Sequence, residues 1–259
     1  MTTFGRYISR DGELLADTLS DGPYIFQNVH TLDGRPRHTA AHAALLRTAA
    51  RRLFGVEPGL TADELRRRIV RLTEACLAPS RVSVRAIVRV YPTGRIEIAC
   101  DEPSIYAGYV MRSLRPDAVC LNMAPPLPSL PTSAAEQARL IADTLARTHD
   151  AHTAIMTDAA GCVVSESAQP LFVVHGYTVA TPPVAPAEES VERRLVHEAM
   201  RGTTLTFAER PIAVADMATA DEIFTADYRG ITSVARIGRK PYMSIIAEMV
   251  AGRIEKVSL

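Results

Sequence analysis

Glu166 is the residue whose type and position best suit acid/base chemistry. It follows a run of small apolar residues, in the stretch "DAAGCVVSES", that predicts a strand. A carboxylate in a partly dry cleft can act as a general base, because burial raises its pKa toward neutral pH. A solvated glutamate at the end of a strand is the alternative interpretation. No Ser/His/Asp word, glycine-rich phosphate loop or carboxylate pair stands out elsewhere.

Two groups of histidines could also do chemistry. His30, His38 and His42 are close in sequence, and histidines can transfer protons near neutral pH. Residues of a surface hairpin and of a helix start are the simpler interpretation. The word "THDAHT" at 148–153 contains possible metal ligands, but a polar loop between a helix and a strand explains it more simply. We therefore predict no metal site.

Lysine is almost absent from the chain. Lys240 and Lys256 are the two lysines among 29 lysine and arginine residues, so the first 239 residues contain none. An imine with an aldehyde requires a neutral amine nucleophile. Lysine-dependent imine chemistry is therefore restricted to these two positions, and each is most simply a solvated residue near the C-terminal end.

The overall composition predicts a cytoplasmic, globular protein. The formal net charge is zero and the pI is about 7.1, so the sequence lacks the basic footprint of a nucleic-acid-binding protein. The four cysteines are scattered, which favours reduced thiols in a reducing compartment. The first residues lack the apolar core of a signal peptide, and no apolar run approaches the ~18 residues of a membrane span.

The first half of the chain predicts a mixture of strands and helices. A turn at "LDGR" joins two extended runs, and helices follow at 39–55 and 61–78. Thr39 is predicted to cap the first helix and Thr61 the second. Alternating residues on both sides of "YPTGR" then predict a hairpin over 81–102.

The second half repeats this mixture after a proline-rich stretch. "APPLPSLP" has four prolines in eight residues and is the best linker candidate. Helices are predicted in "TSAAEQARLIADTLARTHD", "APAEESVERRLVHEAMRG" and "MSIIAEMVAGRIEK", with short strands between them. We predict an α+β fold with an N-terminal domain at 1–124, a linker at 125–131 and a C-terminal domain at 132–259.

Five words in this order resemble the class IV aminotransferases. These are the fold-type IV enzymes that use pyridoxal phosphate, such as branched-chain and D-amino-acid aminotransferases and aminodeoxychorismate lyase. The words are "LDGRPRHTAAHAALLRTAARRL", "DAAGCVVSES", "LFVVHGYTVATPP", "SVERRLVHEA" and "ADEIFTADYRGITSV". The resemblance covers nearly the whole chain and implies a two-domain α+β architecture, a cleft between the domains and a homodimer.

The resemblance also places the cofactor lysine of the family within 129–135. That window reads "SLPTSAA" here, and none of these side chains can form an imine with an aldehyde. The family's H-x-x-R-L word aligns its histidine with His42 and its phosphate-binding arginine with Leu45. Arg47 follows two residues later, on a different face of the predicted helix.

Other family positions also carry different residues. The glutamate that pairs with the pyridine nitrogen corresponds to Glu166, or to Ser165 if "LFVV" fixes the alignment. Arg193 keeps the arginine of the family's Gly-Ile-Thr-Arg word. The Ser/Thr that contacts the cofactor phosphate falls near Asp227 and Tyr228, where an aspartate would repel a phosphate.

These observations lead to three hypotheses for function. The leading one is a cofactor-independent acid/base enzyme that acts on a small amino- or keto-acid-like metabolite, with recruitment to specialised biosynthesis as a plausible setting. Glu166 would be its catalytic residue, and Arg193, Asp227, Tyr228, Arg229, His42 and Arg47 would line the cleft. The second is a ligand-binding or partner-stabilising protein without catalysis. The third is a working pyridoxal-phosphate enzyme. We expect no cofactor, although pyridoxal phosphate held without a covalent bond stays open.

Overall fold

The computed structural model describes residues 7–101, 103–104, 107–112 and 114–259. The chain divides into two compact units. Unit 1 comprises Met1–Gly108, Pro131–Ser133 and Ser258–Leu259, and unit 2 comprises Tyr109–Leu130 and Ala134–Val257. The domain bounds drawn from the sequence, with their linker at 125–131, stay a prediction.

Unit 1 contains one antiparallel sheet of six strands. The strands are β1 Ile8–Arg10, β2 Glu13–Leu15, β3 Ile25–Leu32, β4 Arg35–Pro36, β5 Ser83–Val90 and β6 Ile96–Cys100. Their order is β2-β1-β6-β5-β3-β4. The predicted hairpin over 81–102 is β5 and β6, apart from Glu102, which lies outside the described residues. Strands β1 and β2 were not predicted from the sequence.

Two helices of unit 1 follow the apolar spacing of the sequence. They are α1, Thr39–Phe54, and α2, Ala62–Ala75. Leu65, Ile69 and Leu72 recur at helical spacing along α2 and are fully buried. Burying a leucine or isoleucine side chain contributes roughly 1.5–3 kcal/mol, so this apolar face fixes α2 in the core of the unit.

Of the two helix caps predicted from the sequence, one is confirmed and one is wrong. The Thr61 hydroxyl accepts a hydrogen bond from the Glu64 N–H at 3.1 Å, so the predicted cap of α2 is confirmed. The predicted cap of α1 is wrong. Helical geometry already includes Thr39, and the N-cap residue is His38, with a positive φ of 51°. The sequence "RHTA" therefore begins its helix one residue earlier than a threonine cap requires.

The described residues of unit 2 form two sheets built from ten strands. The strands are β7 Val110–Met111, β8 Asp117–Asn122, β9 Thr153–Thr157, β10 Leu171–His175, β11 Thr178–Thr181, β12 Thr206–Glu209, β13 Glu222–Asp227, β14 Gly230–Ser233, β15 Arg236–Ile237 and β16 Lys240–Pro241. Six of them form a sheet in the order β12-β11-β10-β13-β14-β7, and four form a sheet in the order β16-β15-β8-β9. A shared apolar core that includes Ile155, Val173 and Ile223 packs between elements of both sheets.

The helices of unit 2 are α3 Ser133–Arg147, whose first residue belongs to unit 1, α4 Val191–Met200, α5 Val214–Thr219 and α6 Ile245–Ile254. A short 3-10 helix, Pro186–Glu188, precedes α4. The buried face of α3 is made of alanines, which bring it close to the strands beneath it. The helix predicted at 185–202 is thus split, with Ser190 at the start of its regular part.

A tight turn joins β13 to β14 and positions Asp227, Tyr228 and Arg229. Asp227 pairs with Gly230 across the hairpin. Gly230 has a φ of 121°, and a side chain there would meet the Val110 carbonyl oxygen at 2.2 Å from its first carbon. Glycine is therefore required at the point where β14 passes β7. In the part of the chain that the structure describes, no helix combines the length and apolar character needed to cross a bilayer.

Candidate functional site

Glu166 lies in unit 2, in the segment between β9 and β10. Its carboxylate is held by Arg139 of α3 through two hydrogen bonds. The Arg139 Nη2 donates to Oε1 at 2.6 Å and its Nε donates to Oε2 at 3.0 Å. The two side chains are 17% and 16% exposed, so the pair is largely withdrawn from water. Such a bidentate geometry fixes the orientation of the carboxylate.

Asp143, one turn further along α3, completes this cluster. The Arg139 Nη1 donates to Asp143 at 3.1 Å and to the Ala154 carbonyl at 2.7 Å. Asp143 in turn accepts a hydrogen bond from the Thr153 hydroxyl at 2.9 Å. The arginine thus connects α3, the start of β9 and Glu166. Sequence reasoning missed Arg139 and Asp143, although opposite charges four residues apart on a helix were a readable signal.

A small cavity of about 40 Å³ adjoins this cluster inside unit 2. Glu166, Arg139 and Gln169 contribute its polar lining, and Gln169 donates a hydrogen bond to the Thr225 hydroxyl at 3.2 Å. Burial raises the pKa of Glu166, and the charge of Arg139 opposes this rise. The cavity has room for a group of about the size of a water molecule.

Arg193, in the first turn of α4, is 1% exposed. Its Nη1 donates to the Pro182 carbonyl oxygen and, at 3.3 Å, to the Thr181 hydroxyl. Its Nη2 lies 2.6 Å from a carboxylate oxygen of Glu209. The guanidinium therefore connects the end of β11 to the end of β12. The predicted role of Arg193 in a substrate site stays a prediction, and the contacts described for it are structural.

The N-terminus of α4 is closed by its own side chains. The Ser190 hydroxyl accepts a hydrogen bond from the Arg193 N–H at 3.2 Å. Glu192, two residues after Ser190, is 5% exposed. The Arg193 N–H points toward the end of the helix where an anion would bind, and the Ser190 hydroxyl already uses it.

Glu192 is a buried acid that sequence reasoning missed. Burial, with a contribution from the negative charge of Asp227, raises the pKa of Glu192 to about 8. An acidic residue in the first turn of a helix is ordinarily an exposed, dipole-stabilised residue. Its type and position therefore gave no sign that this glutamate is buried.

Asp227 and Arg229 form an ion pair within the turn between β13 and β14. The Arg229 N–H donates to Asp227 Oδ1 at 2.8 Å, and its Nε donates to Oδ2 at 2.9 Å. Asp227 is 7% exposed, whereas the Arg229 side chain is 36% exposed. The Arg229 guanidinium also lies 5.2 Å from the ring centre of Tyr228. The structure thus brings together these three predicted residues, with α4 packed against β13.

His42 and Arg47 belong to unit 1. The His42 ring is fully buried, and its Nδ1 lies 2.8 Å from the Gln27 side-chain oxygen. Its Nε2 has no hydrogen-bond partner among the described residues. Burial, with smaller contributions from His38 and His30, lowers the pKa of His42 to about 3. Arg47 donates to the Leu60 carbonyl at 3.3 Å.

The residues 129–135, where the resemblance places a cofactor lysine, have other partners. The Ser129 hydroxyl donates to Glu188, and the Pro131 carbonyl accepts the Phe26 N–H at 2.7 Å. Both lysines are exposed. Lys240 lies in β16 with its ammonium group 5.8 Å from the ring centre of Tyr242, and Lys256 follows α6. Among the described residues, no group of three metal-ligating side chains is present.

Comparison with known proteins identifies the class of this fold. The family model described as "Amino-transferase class IV" matches residues 25–237. The chain therefore belongs to the class IV aminotransferase family, and the fold predicted from the sequence is confirmed. No curated protein shows significant sequence similarity to the chain.

Solved structures of the same fold show low sequence identity. A branched-chain aminotransferase from Thermoproteus uzoniensis with norvaline superposes with a TM-score of 0.77 at 18% identity, over 97% of each chain. An aminotransferase from Brucella abortus bound to pyridoxal phosphate gives 0.73 at 17% identity, over 96% of each chain. A putative 4-amino-4-deoxychorismate lyase from Legionella pneumophila gives 0.72 at 16%, over 90% of this chain and 94% of the other.

Proposed function

We propose that this chain is a class IV aminotransferase homologue that works without a lysine-bound cofactor. It acts as an acid/base enzyme on a small amino- or keto-acid-like metabolite, with Glu166 as its proton-transfer group. The position of the lysines supports this most directly. The two lysine ammonium groups are exposed in β16 and after α6, and the side chains of the window 129–135 include no amine.

The surroundings of Glu166 support its role as a base. A general base needs a pKa near the working pH, and burial raises that of Glu166 above its ordinary value. The two bonds from Arg139 hold the carboxylate in one orientation, and Gln169 adds an amide beside the same cavity. A proton taken from a substrate would reside on a carboxylate oxygen, with Arg139 stabilising its ionised form before transfer.

A second candidate is a non-catalytic protein that binds a ligand or stabilises a partner. The observation in its favour is that both carboxylate oxygens of Glu166 already accept hydrogen bonds from Arg139. A carboxylate engaged in this way can be purely structural, because removing either partner would leave a buried charge. The cavity of about 40 Å³ is also small for a substrate.

Substitution of Glu166 separates these two candidates. We expect Glu166→Gln to abolish turnover of amino- or keto-acid substrates, since glutamine keeps the shape but cannot accept the proton. The unfolding midpoint should fall by several degrees, because the amide oxygen can accept only one of the two Arg139 bonds and the buried guanidinium loses a counter-charge, so turnover is compared at a temperature where both proteins are folded. Glu198→Gln, which removes a partly exposed ion pair with Arg201 at the end of α4, is the control. Full turnover by Glu166→Gln would remove Glu166 as the base, whereas absence of turnover by the wild-type protein on these substrates would favour the non-catalytic candidate.

The third candidate, a true pyridoxal-phosphate enzyme, needs a lysine adduct. We expect the purified protein to show no borohydride-sensitive absorbance band after incubation with the cofactor. A stable adduct at Lys240, located by mass spectrometry after reduction, would overturn the lysine-free proposal. Lys240→Arg supplies the control for adventitious reaction at this exposed amine.

We also propose a homodimer in the cytoplasm that takes a small-molecule ligand and binds neither nucleic acid nor membrane. The balanced charge of 29 basic and 29 acidic residues supports the exclusion of nucleic acid. Light scattering of the purified protein tests the homodimer directly. A mass of about twice 28.1 kDa is expected, and a mass near 28.1 kDa would refute it.

A further inference from the structure

Within unit 2, the N-terminus of α4 lies near the turn between β13 and β14, so that Glu192 of α4 is close to the charge of Asp227. A phosphate at a helix N-terminus is bound by free N–H groups and by the positive end of the helix dipole. At α4 the Arg193 N–H is bound by the Ser190 hydroxyl. One of the donors that an anion would use is therefore occupied by the chain itself.

Acidic side chains occupy the same place. Glu192 is 5% exposed and Asp227 is 7% exposed. The Asp227 carboxylate is bound on one oxygen by the Arg229 N–H and on the other by the Arg229 guanidinium. This arginine is thus neutralised by Asp227 and leaves no net positive charge between them. A dianion would meet one ionised carboxylate and one buried carboxyl group, without a compensating cation.

We propose that this end of unit 2 excludes phosphate, and with it pyridoxal phosphate held without a covalent bond. The inference rests on the proposed function, because both concern the site where the family binds its cofactor. Its evidence is different, since it comes from Glu192, Ser190 and Asp227 and not from the lysines. It also restricts the substrate of the proposed enzyme. The part of a ligand that reaches Ser190 and Asp227 carries no phosphate, and is uncharged or cationic.

Comparing pyridoxal phosphate with pyridoxal measures what the phosphate contributes to binding. Both compounds are titrated into the wild-type protein, with inorganic phosphate as a third probe, and binding is followed by calorimetry. We expect pyridoxal phosphate to bind no more tightly than pyridoxal, and inorganic phosphate to give no heat at millimolar concentration. The inference would be overturned if pyridoxal phosphate bound at least tenfold more tightly than pyridoxal and if inorganic phosphate competed with that binding.

The double substitution Glu192→Gln/Asp227→Asn tests the cause of the exclusion. It removes both carboxylates, keeps their shapes and leaves Arg229 with an unneutralised charge. We expect inorganic phosphate and pyridoxal phosphate to bind at least tenfold more tightly than to the wild type. The control Glu248→Gln, at an exposed position of α6, makes the same one-unit change of net charge near pH 7, because Glu192 with a pKa of about 8 is mostly uncharged there. Equal affinities in the double variant and in this control would show that the two acidic side chains are not the cause.

The two proposals fail in different ways. A borohydride-stable lysine adduct, without preference for pyridoxal phosphate over pyridoxal, would refute the lysine-free function and leave the phosphate exclusion standing. Preference for pyridoxal phosphate without an adduct would refute the exclusion and leave the lysine-free function standing. The wild-type titration does not depend on the folding of any variant, so it decides the inference even if the double variant unfolds.

Discussion

Two helix N-termini of unit 2 each meet a buried carboxylate, and they treat it in opposite ways. At α6 the carboxylate belongs to Glu222 of β13, and it accepts hydrogen bonds at 2.9–3.0 Å from the N–H groups of Ile246 and Ala247. At α4 the carboxylate belongs to Glu192 of the helix itself, with Asp227 of the same strand β13 nearby. The first arrangement is an internal anion site. The second is a site where burial and a like charge favour the protonated acid.

The difference shows that a helix N-terminus binds an anion only when its donors are free. Glu222 approaches α6 from another element, so its charge is added to unused N–H groups. Glu192 lies inside the first turn of α4, where the Ser190 hydroxyl already binds the Arg193 N–H. The same residue type therefore accepts hydrogen bonds from the N–H groups of one helix start and lies buried with a raised pKa at the other.

The largest expected effect is a pH-dependent stabilisation by Glu192→Gln. The folded pKa of Glu192 is raised to about 8, above the 4.5 of an unperturbed glutamate, so folding takes up a proton between these values. The contribution of Glu192 to stability is complete below pH 4.5 and is lost as pH rises through about 8. Because glutamine does not titrate, the variant should gain about 1.4 kcal/mol per pH unit above pH 5, reaching about 4 kcal/mol near pH 8.

Urea unfolding of both proteins at several pH values measures this gain. The expected result is a difference near zero at pH 4.5 that grows steadily toward pH 8. A constant difference across this range would mean that Glu192 is ionised in the folded protein. In that case the two helix starts would not differ in the way described.

The next effect has the opposite sign. Glu222→Gln removes a charge that three hydrogen bonds from α6 stabilise, and hydrogen bonds to a charged group contribute more than neutral ones. We expect a loss of about 2 kcal/mol in unfolding free energy at pH 7. The exposed Glu248→Gln in the first turn of the same helix is the control. A gain of stability at Glu222, as at Glu192, would contradict the comparison.

The sequence alone predicted the elements but not these two sites. Periodic apolar residues such as Leu65, Ile69 and Leu72 fix a helix because they must be buried on one face. The family fold followed from the order of such elements and from specific words. A three-residue strand such as β1 has too few residues for its alternation to be recognised, so β1 and β2 were not predicted.

Site residues were harder because their roles depend on partners distant in sequence. Glu166 could be selected from its position after an apolar run, but its partner Arg139 lies 27 residues away on α3. In the sequence, Glu192 has the features of an ordinary first-turn acid. Only the fold brings Asp227, 35 residues later, close to it. Arg193 was selected by its place in a family word, whereas its contacts with Pro182 and Glu209 come from the packing of β11 and β12.

The smallest expected effect is at Ser190, and it distinguishes the role of the cap from that of the acids. Ser190→Ala removes the hydroxyl that accepts the Arg193 N–H, and loss of an N-cap costs about 1 kcal/mol. Thr61→Ala at the confirmed cap of α2 should cost about the same, and is the matched control. Urea unfolding measures both losses.

If the acids rather than the cap exclude anions, inorganic phosphate should not bind to Ser190→Ala, because Glu192 and Asp227 remain. Phosphate binding by Ser190→Ala alone would instead assign the exclusion to the occupied N–H group, and the charge difference between the α4 and α6 helix starts would then be secondary.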